Sequence, residues 1–178
     1  MFKVNELSRR QFAASALCIA ALGTLPGRST GQSETNNMKG KQMTHLTPYL
    51  LFDGNCHEAM QFYQSCTGGD LTVMKVKDSP VKDQMPAFQL NKTINARLKS
   101  EILEISASDW LRPDQTPVRG NTVCLYLSGG TFQELKVLFE KLSEGAQVTD
   151  PLKEVFFGVY GALNDKFGVR WMFQTNRE

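Results

Sequence analysis

The side chains best suited to chemistry lie in one stretch, between residues 94 and 110. Arg97 alternates with apolar neighbours in residues 94–98, so it either faces a pocket as a clamp for an anion or lies on the exposed face of a strand. Glu104 lies in the next apolar run and either lines a cavity or points outward at a strand edge. Trp110 and Trp171 fit a core or a dimer contact better than a stacking platform.

An apolar wall and two histidines are further candidates. Phe156, Phe157 and Tyr160 are predicted to line an apolar cavity, the usual lining of a small-molecule site. His57 falls in the first turn of a predicted helix and is expected to be solvated. His45 precedes the first predicted strand, where it either reaches a pocket or stays outside it.

The four cysteines do not suggest a metal site or a disulfide. Cys18 lies in an N-terminal leader, and Cys56 and Cys66 are ten residues apart on one predicted helix, roughly 15 Å along its axis. They cannot bond to each other unless that helix unwinds. Cys124 lies in an apolar run and is predicted to be a small buried thiol.

An internal repeat positions these residues. The segment 46–72 is matched 76 positions later, where Thr131 and Glu134 repeat the spacing of Asn55 and Glu58. Each pair predicts a capping box, in which the cap side chain and the glutamate bond each other's backbone N–H groups. The glycines that flank each helix coincide as well: Gly54 with Gly130, and Gly69 with Gly145. The repeat predicts a duplicated unit.

Each copy is predicted to have the order βαβββ. The first copy has strands at 48–52, 71–77, 93–99 and 101–107, a helix at 55–67 and a loop at 78–90. The second has strands at 121–127, 147–152, 155–163 and 169–174 and a helix at 131–144. Its strand at 147–152 carries Pro151, which belongs at a sheet edge because it donates no N–H. The predicted folded domain is 46–176, with modules 46–108 and 120–176.

The N-terminal segment reads as a targeting signal. Ser8-Arg9-Arg10-Gln11-Phe12 precedes an apolar run, 13–25, that is too short to span a bilayer. Residues 1–30 therefore predict a signal peptide for twin-arginine export to the periplasm, and 31–45 a flexible tether. A translation start at Met38 or Met43 is the alternative, and it would leave the protein in the cytoplasm.

The charge balance excludes some partners. The chain has 20 basic and 18 acidic residues, and removing residues 1–30 takes away four basic residues and one acidic residue, which leaves 16 against 17. No basic stripe remains for nucleic acid or an acidic membrane surface, and no membrane span remains after removal of the signal.

Two sets of residues resemble one protein family. The opening Pro48-Tyr49, the segment 52–56 and the pairs Glu58-Ala59 and Phe62-Tyr63 form the first set, and residues in the segment 157–172 form the second. Both are similar to PhnB-like proteins of the vicinal oxygen chelate superfamily, which includes glyoxalases, bleomycin resistance proteins and extradiol dioxygenases. The resemblance covers about 46–174. It implies an α+β fold in which two tandem βαβββ modules form a cupped mixed sheet around a cavity, and a homodimer.

The resemblance also implies positions for a divalent metal, held by His, Glu or Gln on the first and last strands of each module. These positions fall at Pro48 or Tyr49, at Glu104, and near Thr122 and Met172. Only Glu104 matches. A catalytic metal needs at least three protein ligands, so no cofactor is assigned, and a divalent metal stays as the alternative.

The third strand departs from the family pattern. Many PhnB-like proteins have a histidine where this chain has Asn95, and an amide orients a substrate by hydrogen bonds but does not act as a base. The expected ligand-binding residues are Asn95, Arg97, Glu104, Trp110 and Phe157, with no catalytic residue assigned. An older family label, a ubiquinone-related methyltransferase, is not supported, because no glycine-rich nucleotide loop follows a strand.

Three functions remain open at this point. The first is binding of a small molecule in the sheet cavity without an intact metal site. The second is a metal-dependent lyase, isomerase or dioxygenase that uses Glu104 with ligands not identified. The third is a structural dimer or interaction module with a cavity closed by side chains.

Overall fold

The computed structural model describes residues 44–115 and 117–176, and the predicted βαβββ order occurs twice in it. The first module contains β1 (Tyr49–Phe52), α1 (Cys56–Thr67), β2 (Asp70–Lys75), β3 (Thr93–Lys99) and β4 (Glu104–Asp109). The second contains β5 (Leu125–Ser128), α2 (Phe132–Leu142), β6 (Gln147–Val155), β7 (Gly158–Asn164) and β8 (Arg170–Thr175). The predicted fold class, two tandem βαβββ modules, is confirmed. The predicted signal and most of the tether lie outside the described residues.

Each module forms one four-stranded mixed sheet. The strand orders are β1-β4-β3-β2 and β5-β8-β7-β6. The first and last strands of each module pair in parallel, and the other neighbours are antiparallel. Among the described strands none pairs across the two sheets, so β1 and β5 are each the edge of their own sheet. The two sheets are therefore not closed into one.

Three strands begin three or more residues later than predicted: β4, β5 and β7. The turn between β3 and β4 is fixed by Ser100, whose backbone N–H donates to the Leu103 carbonyl at 2.9 Å and whose Oγ accepts from the Leu103 N–H at 3.2 Å. This turn delays the start of β4 to Glu104. In the second module β5 begins at Leu125, four residues after the predicted start.

The edge strand β6 is longer than predicted. It runs from Gln147 to Val155 and pairs only with β7, in the edge position expected for a strand with Pro151. The register shifts between Asp150 and Lys153, so the proline lies at an irregularity in the ladder. The strand predicted at 71–77 ends at Lys75, where a 3₁₀ turn at Val76–Asp78 begins, and the predicted loop at 78–90 contains two more, at Lys82–Gln84 and Ala87–Gln89.

The two helices begin differently, although the sequence predicts the same cap for both. Thr131 and Glu134 form the predicted capping box at α2, with the Thr131 N–H donating to Glu134 Oε2 at 2.8 Å. Asn55 makes no side-chain cap bond at α1. Asp109, at the end of β4, accepts from the Cys56 N–H at 2.9 Å and from the Thr93 N–H at 2.7 Å. The prediction of a capping box at Asn55 is wrong because a buried carboxylate distant in sequence takes its place.

One hydrophobic core serves both modules. Each helix covers one face of its own sheet, and the buried side chains of the two modules form a single cluster. Tyr63 of α1 contacts Trp171 of β8, with ring centroids 5.6 Å apart, and Phe167 of the β7–β8 turn, at 6.1 Å. Trp171 is therefore a core residue, one of the two positions expected for it.

Asp165, in the β7–β8 turn, stabilises this core through hydrogen bonds. Its carboxylate is buried and accepts four hydrogen bonds, from the Tyr63 hydroxyl at 2.7 Å and from Trp171 Nε1 and the backbone N–H groups of Phe167 and Val169 at 2.9 Å each. A buried charge needs this degree of pairing. The carboxylate thus joins the helix of the first module to the turn of the second. No helix among the described residues has the length and apolar character to cross a membrane.

Candidate functional site

The face of the first sheet that α1 does not cover carries most of the polar candidates. In β3 the side chains of Ala96 and Leu98 are fully buried on the helix side, whereas Asn95, Arg97 and Lys99 are exposed. Alternating residues of a strand point to opposite faces. Asn95 and Arg97 therefore share the uncovered face, which we call the open face of the first sheet.

Strand register adds residues from β1 and β4 to the open face. Ala96 lies opposite Ala107 on the core side, so the neighbouring pair of Arg97 and Ser106 lies on the open face. Ser106 in turn pairs with Tyr49 of β1. Ser106 and the half-buried Glu104 alternate along β4. Ser106 and Ser108 were not among the residues predicted from the sequence, although their alternation with Glu104 was a signal for them.

Arg97 and Glu104 form an ion pair on this face. Arg97 Nη2 donates to Glu104 Oε1 at 2.6 Å and Arg97 Nε donates to the same oxygen at 3.1 Å. The hydrogen bond from Arg97 is the main reason that the pKa of Glu104 lies below its usual value, and the charge of Arg97 and His45 lowers it further. Glu104 Oε2 accepts no hydrogen bond from the described residues, so the pair keeps an acceptor for another molecule.

His45 reaches the same carboxylate. Its Nε2 lies 3.5 Å from Glu104 Oε1, and its side chain is 61% exposed. His45 thus lies beside Glu104 on the open face, and it lines none of the cavities described below. An imidazole beside a carboxylate can exchange protons or bind a metal near neutral pH.

Trp110 and Phe157 lie outside this group. Trp110 follows β4, and its indole Nε1 donates to the Gln115 carbonyl at 3.0 Å while the guanidinium of Arg112 lies 6.0 Å from the ring centroid. Phe157 belongs to the β6–β7 turn of the second sheet and packs against Phe156 and Tyr160. The structure thus brings Asn95, Arg97 and Glu104 to one face and places Phe157 in the other sheet.

The donor set fits a divalent metal poorly. No group of three or more His, Cys, Asp or Glu in the described residues is placed to hold an ion. His45 and Glu104 supply two donors, and the Glu104 oxygen nearest to His45 already accepts from the guanidinium of Arg97, which repels a cation. Met172, at another expected ligand position, accepts a hydrogen bond from the thiol of Cys124, at 3.0 Å between the sulfur atoms. His45 and Glu104 alone therefore fall short of the ligand number of a catalytic metal.

Three cavities border the second module. One of about 640 Å³ lies between β5 and α2 and is lined mainly by apolar groups, among them Ile102, Tyr126 and Val137. One of about 280 Å³ lies between the edge strands β1 and β5. One of about 620 Å³ is polar and lies around the β7–β8 turn. None of these three is lined by Asn95, Arg97 or Glu104. Asn95 and Arg97 are exposed on their sheet face.

A family model matches residues 44–174, which is most of the chain, and it is described as 3-demethylubiquinone-9 3-methyltransferase. The chain belongs to this family. The match begins and ends close to the βαβββ pair described above. The predicted resemblance to PhnB-like proteins of the glyoxalase, bleomycin resistance and dioxygenase superfamily is confirmed.

Several known proteins are similar to the chain over nearly their whole length. Protein PA1353 from Pseudomonas aeruginosa has a solved structure that is 33% identical, with a TM-score of 0.68, over 76% of this chain and 100% of its own. Protein YjdN from Escherichia coli (strain K12) is 27% identical over 75% of this chain and 96% of its own. A Bacillus cereus structure described as a putative 3-demethylubiquinone-9 3-methyltransferase, PhnB protein, shares the fold, with 24% identity and a TM-score of 0.59 over 74% of this chain and 99% of its own.

Proposed function

We propose that this protein binds a small polar molecule on the open face of the first sheet. The observation that carries the proposal is the Arg97–Glu104 pair, a charged donor and a charged acceptor 2.6 Å apart on a sheet face that neither α1 nor α2 covers. Exposed ion pairs on a protein surface contribute little to stability. A pair with unused bonding groups, surrounded by Asn95 and Ser106, is suited to recognition.

The groups on this face indicate the chemistry of the ligand. A guanidinium binds a carboxylate or a similar oxyanion through paired N–H groups. Glu104 Oε2 can accept from a hydroxyl or an ammonium group of a ligand, and the Asn95 amide can both donate and accept. We infer that the ligand carries an acidic group next to a hydroxyl or amino group, as in a hydroxy acid or an amino acid.

A second copy of the chain is the proposed cover of this face. Tyr49, Leu51 and Met74 lie on the open face and are 52%, 40% and 45% exposed. Burying apolar side chains of this size is favourable, at about 25 cal/mol per Å² removed from water. A homodimer that covers them would turn the open surface into an enclosed site in which charged hydrogen bonds are stronger.

The test is a ligand screen against matched variants. We expect a panel of small hydroxy acids and amino acids, screened by ligand-observed NMR, to yield a binder whose affinity falls at least about ten-fold in Arg97→Gln and in Glu104→Gln, since charged hydrogen bonds are lost. Lys153→Gln is the control, because Lys153 is an exposed cation on β6 of the other sheet. Equal binding by Arg97→Gln and the control would overturn the assignment of the site.

A metal-dependent enzyme is the second candidate, and the 3.5 Å approach of His45 to Glu104 favours it. Plasma mass spectrometry of protein purified without chelator tests it, with Glu104→Ala as the comparison. Stoichiometric metal that is lost in the variant would favour a lyase, isomerase or dioxygenase whose remaining ligands come from outside the described group. A dimer that binds neither ligand nor metal would instead favour the structural or interaction role.

The methyl transfer in the family description is not part of the proposal. The described chain folds as two separate four-stranded sheets of mostly antiparallel pairing. Nucleotide-type cofactors are usually held where a parallel strand runs through a glycine-rich loop into a helix. Export by the twin-arginine route also stays a proposal, because residues 1–30 lie outside the described part of the chain.

A further inference from the structure

A polar cleft of about 620 Å³ lies at one end of the second sheet, apart from the Arg97–Glu104 pair. Three cationic side chains line it: Arg119 from the linker before β5, Lys166 from the β7–β8 turn and Arg170 from the start of β8. Amide side chains complete the wall: Asn121, Gln147 and Asn164. A cleft of this size can hold a small phosphorylated metabolite.

The local structure holds two of these cations in place. Gly168 has φ +78°, and the stem of Arg119 passes over it, with its Cδ at ordinary contact distance, 3.4 Å, from where a Cβ would lie. Arg119 Nη2 donates to the Leu51 carbonyl at 3.3 Å, and its guanidinium lies 5.1 Å from the centre of the Phe52 ring. Lys166 Nζ lies 4.0 Å from the centre of the Phe62 ring. These contacts hold Arg119 and Lys166 in place. The contacts of Arg119 are with a carbonyl and an aromatic ring, so its charge is not paired by a carboxylate.

The acidic groups nearby leave a surplus of donors. Lys166 donates to Glu144 at 3.0 Å, so that pair is close to neutral. Asp165 also borders the cleft, but its carboxylate is buried and its two oxygens accept the four hydrogen bonds described above. Within the described chain, no carboxylate lies within 4.0 Å of a nitrogen of Arg119 or Arg170. With Lys166 and Glu144 counted as a neutral pair, the charges of Arg119 and Arg170 exceed that of Asp165 by about one positive charge.

We propose that this cleft binds the phosphate group of a small molecule, with Arg170 as the main anchor and Arg119 beside it. Arginine binds phosphate through two parallel N–H donors, and amide side chains supply further donors to the remaining oxygens. The site shares no lining residue with the open face of the first sheet. It would therefore act as a second binding site, or would hold the phosphate of a regulator.

Inorganic phosphate and pyrophosphate are the probes, measured by calorimetry at low ionic strength and by backbone NMR shifts. We expect both to bind and to shift the amide signals of residues 119–121 and 164–170. Arg170→Gln is expected to weaken binding at least about ten-fold, as for the loss of a charged pair. Arg112→Gln is the matched control, because it removes the same charge. Arg112 lies near the ring of Trp110 and does not line the cleft.

Each outcome decides the proposal. Selective loss in Arg170→Gln, with circular dichroism and melting temperature unchanged, supports it. Equal weakening in Arg112→Gln would show attraction to overall charge and would overturn the site, as would undiminished binding by Arg170→Gln. No binding of either probe by the wild-type protein at millimolar concentration would also overturn it, whatever the ligand screen on Arg97 finds.

Discussion

The hydroxyl of Tyr63 donates to Asp165 Oδ2 at 2.7 Å, across 102 residues of sequence. Tyr63 is fully buried on α1 of the first module, and Asp165 is buried in the β7–β8 turn of the second. Burial and the adjacent carboxylate raise the pKa of Tyr63 well above its usual value, so the hydroxyl stays a donor at all ordinary pH values. This bond ties the two modules through their common core.

Removing this hydroxyl should destabilise the protein. We expect Tyr63→Phe to lower the free energy of unfolding by about 1–3 kcal/mol, because the buried Asp165 carboxylate loses one of its four donors. Urea denaturation followed by circular dichroism measures it. Tyr126→Phe is the control: its hydroxyl donates to Gln174 at 2.8 Å in an exposed setting, and its loss should cost about 0.5 kcal/mol or less. Similar losses in both variants would contradict a special role for the Tyr63 bond.

The helix caps give a second comparison. We expect Asp109→Ala to cost at least about 2 kcal/mol in the free energy of unfolding, because two buried N–H groups, of Cys56 and Thr93, lose their acceptor. Asn55→Ala should change stability by less than about 0.5 kcal/mol, since the Asn55 side chain makes no cap bond.

Thr131→Ala is the positive control for a cap of the second helix, with an expected loss of about 1 kcal/mol. Thermal and urea unfolding of the three variants under one set of conditions provide the comparison. A loss in Asn55→Ala as large as that in Thr131→Ala would mean that the sequence-based capping box forms at α1 in solution.

The Arg97–Glu104 pair predicts a shifted titration. The pKa of Glu104 lies below its usual value because Arg97 bonds the charged carboxylate. A lowered pKa in the folded state means that the pair contributes its stabilisation above the usual glutamate pKa and loses it as the pH falls through the lower value. We expect carboxyl-detected NMR to show Glu104 titrating below the usual value of a glutamate.

Arg97→Gln should move this titration back toward the usual value, because the main cause of the shift is removed. His45→Gln should move it less, since His45 has the smaller effect and lies farther from the carboxylate, at 3.5 Å against 2.6 Å. An unchanged Glu104 titration in Arg97→Gln would show that the ion pair does not persist in solution.

Thiol reactivity should follow burial. Cys56 is fully buried, and burial together with the nearby charge of Asp109 raises the pKa of its thiol to about 12. Burial also raises the pKa of Cys66. Because the thiolate is the reactive form, we expect iodoacetamide at mildly alkaline pH to modify the half-buried Cys124 first.

Peptide mapping by mass spectrometry separates the sites, including Cys18, which lies outside the described residues. Modification of Cys56, Cys66 and Cys124 at equal rates would indicate that the first helix opens readily. Denatured protein is the control in which burial no longer protects Cys56 and Cys66.

Export can be tested directly on the N-terminal segment. We expect the full chain fused to a reporter to reach the periplasm of a bacterial host and Arg9→Lys with Arg10→Lys to keep it in the cytoplasm, because the paired arginines are the recognised feature of this signal. Fractionation with a reporter that needs prior folding is the measurement. Equal export of both forms would count against the twin-arginine interpretation, and no export of either would favour a start at Met38 or Met43.

The duplication made the architecture predictable, because helix stripes, turn glycines and strand alternation are local patterns. The capping box at Thr131 is local and could be predicted, whereas the acceptor at the start of α1 is Asp109, 53 residues from Cys56. The start of β4 was misplaced because the Ser100 side chain bonds two N–H groups of the turn and lengthens it. Such bonds depend on which distant segments the fold brings together and on the geometry of individual turns. The periodicity of the sequence describes neither.

The candidate site was predictable in part for the same reason. Alternation placed Arg97 on one face, but its bond to Glu104 requires the register in which Arg97 faces Ser106 and lies diagonal to Glu104. The approach of His45 depends on the backbone before β1. The residues around the polar cleft come from the linker, a turn and the ends of strands, and no sequence spacing joins Arg119 to Arg170.

The shared core has a consequence for how a duplicated protein of this kind can change. Tyr63 and Phe52 of the first copy are fully buried, and both lie against rings or polar atoms supplied by the second copy. A fragment that ends after β4 would expose these rings to water and would leave the hydroxyl of Tyr63 without Asp165. The two halves should therefore unfold in a single cooperative transition. Loss, exchange or shortening of either half in evolution would require compensating substitutions in the core of the other.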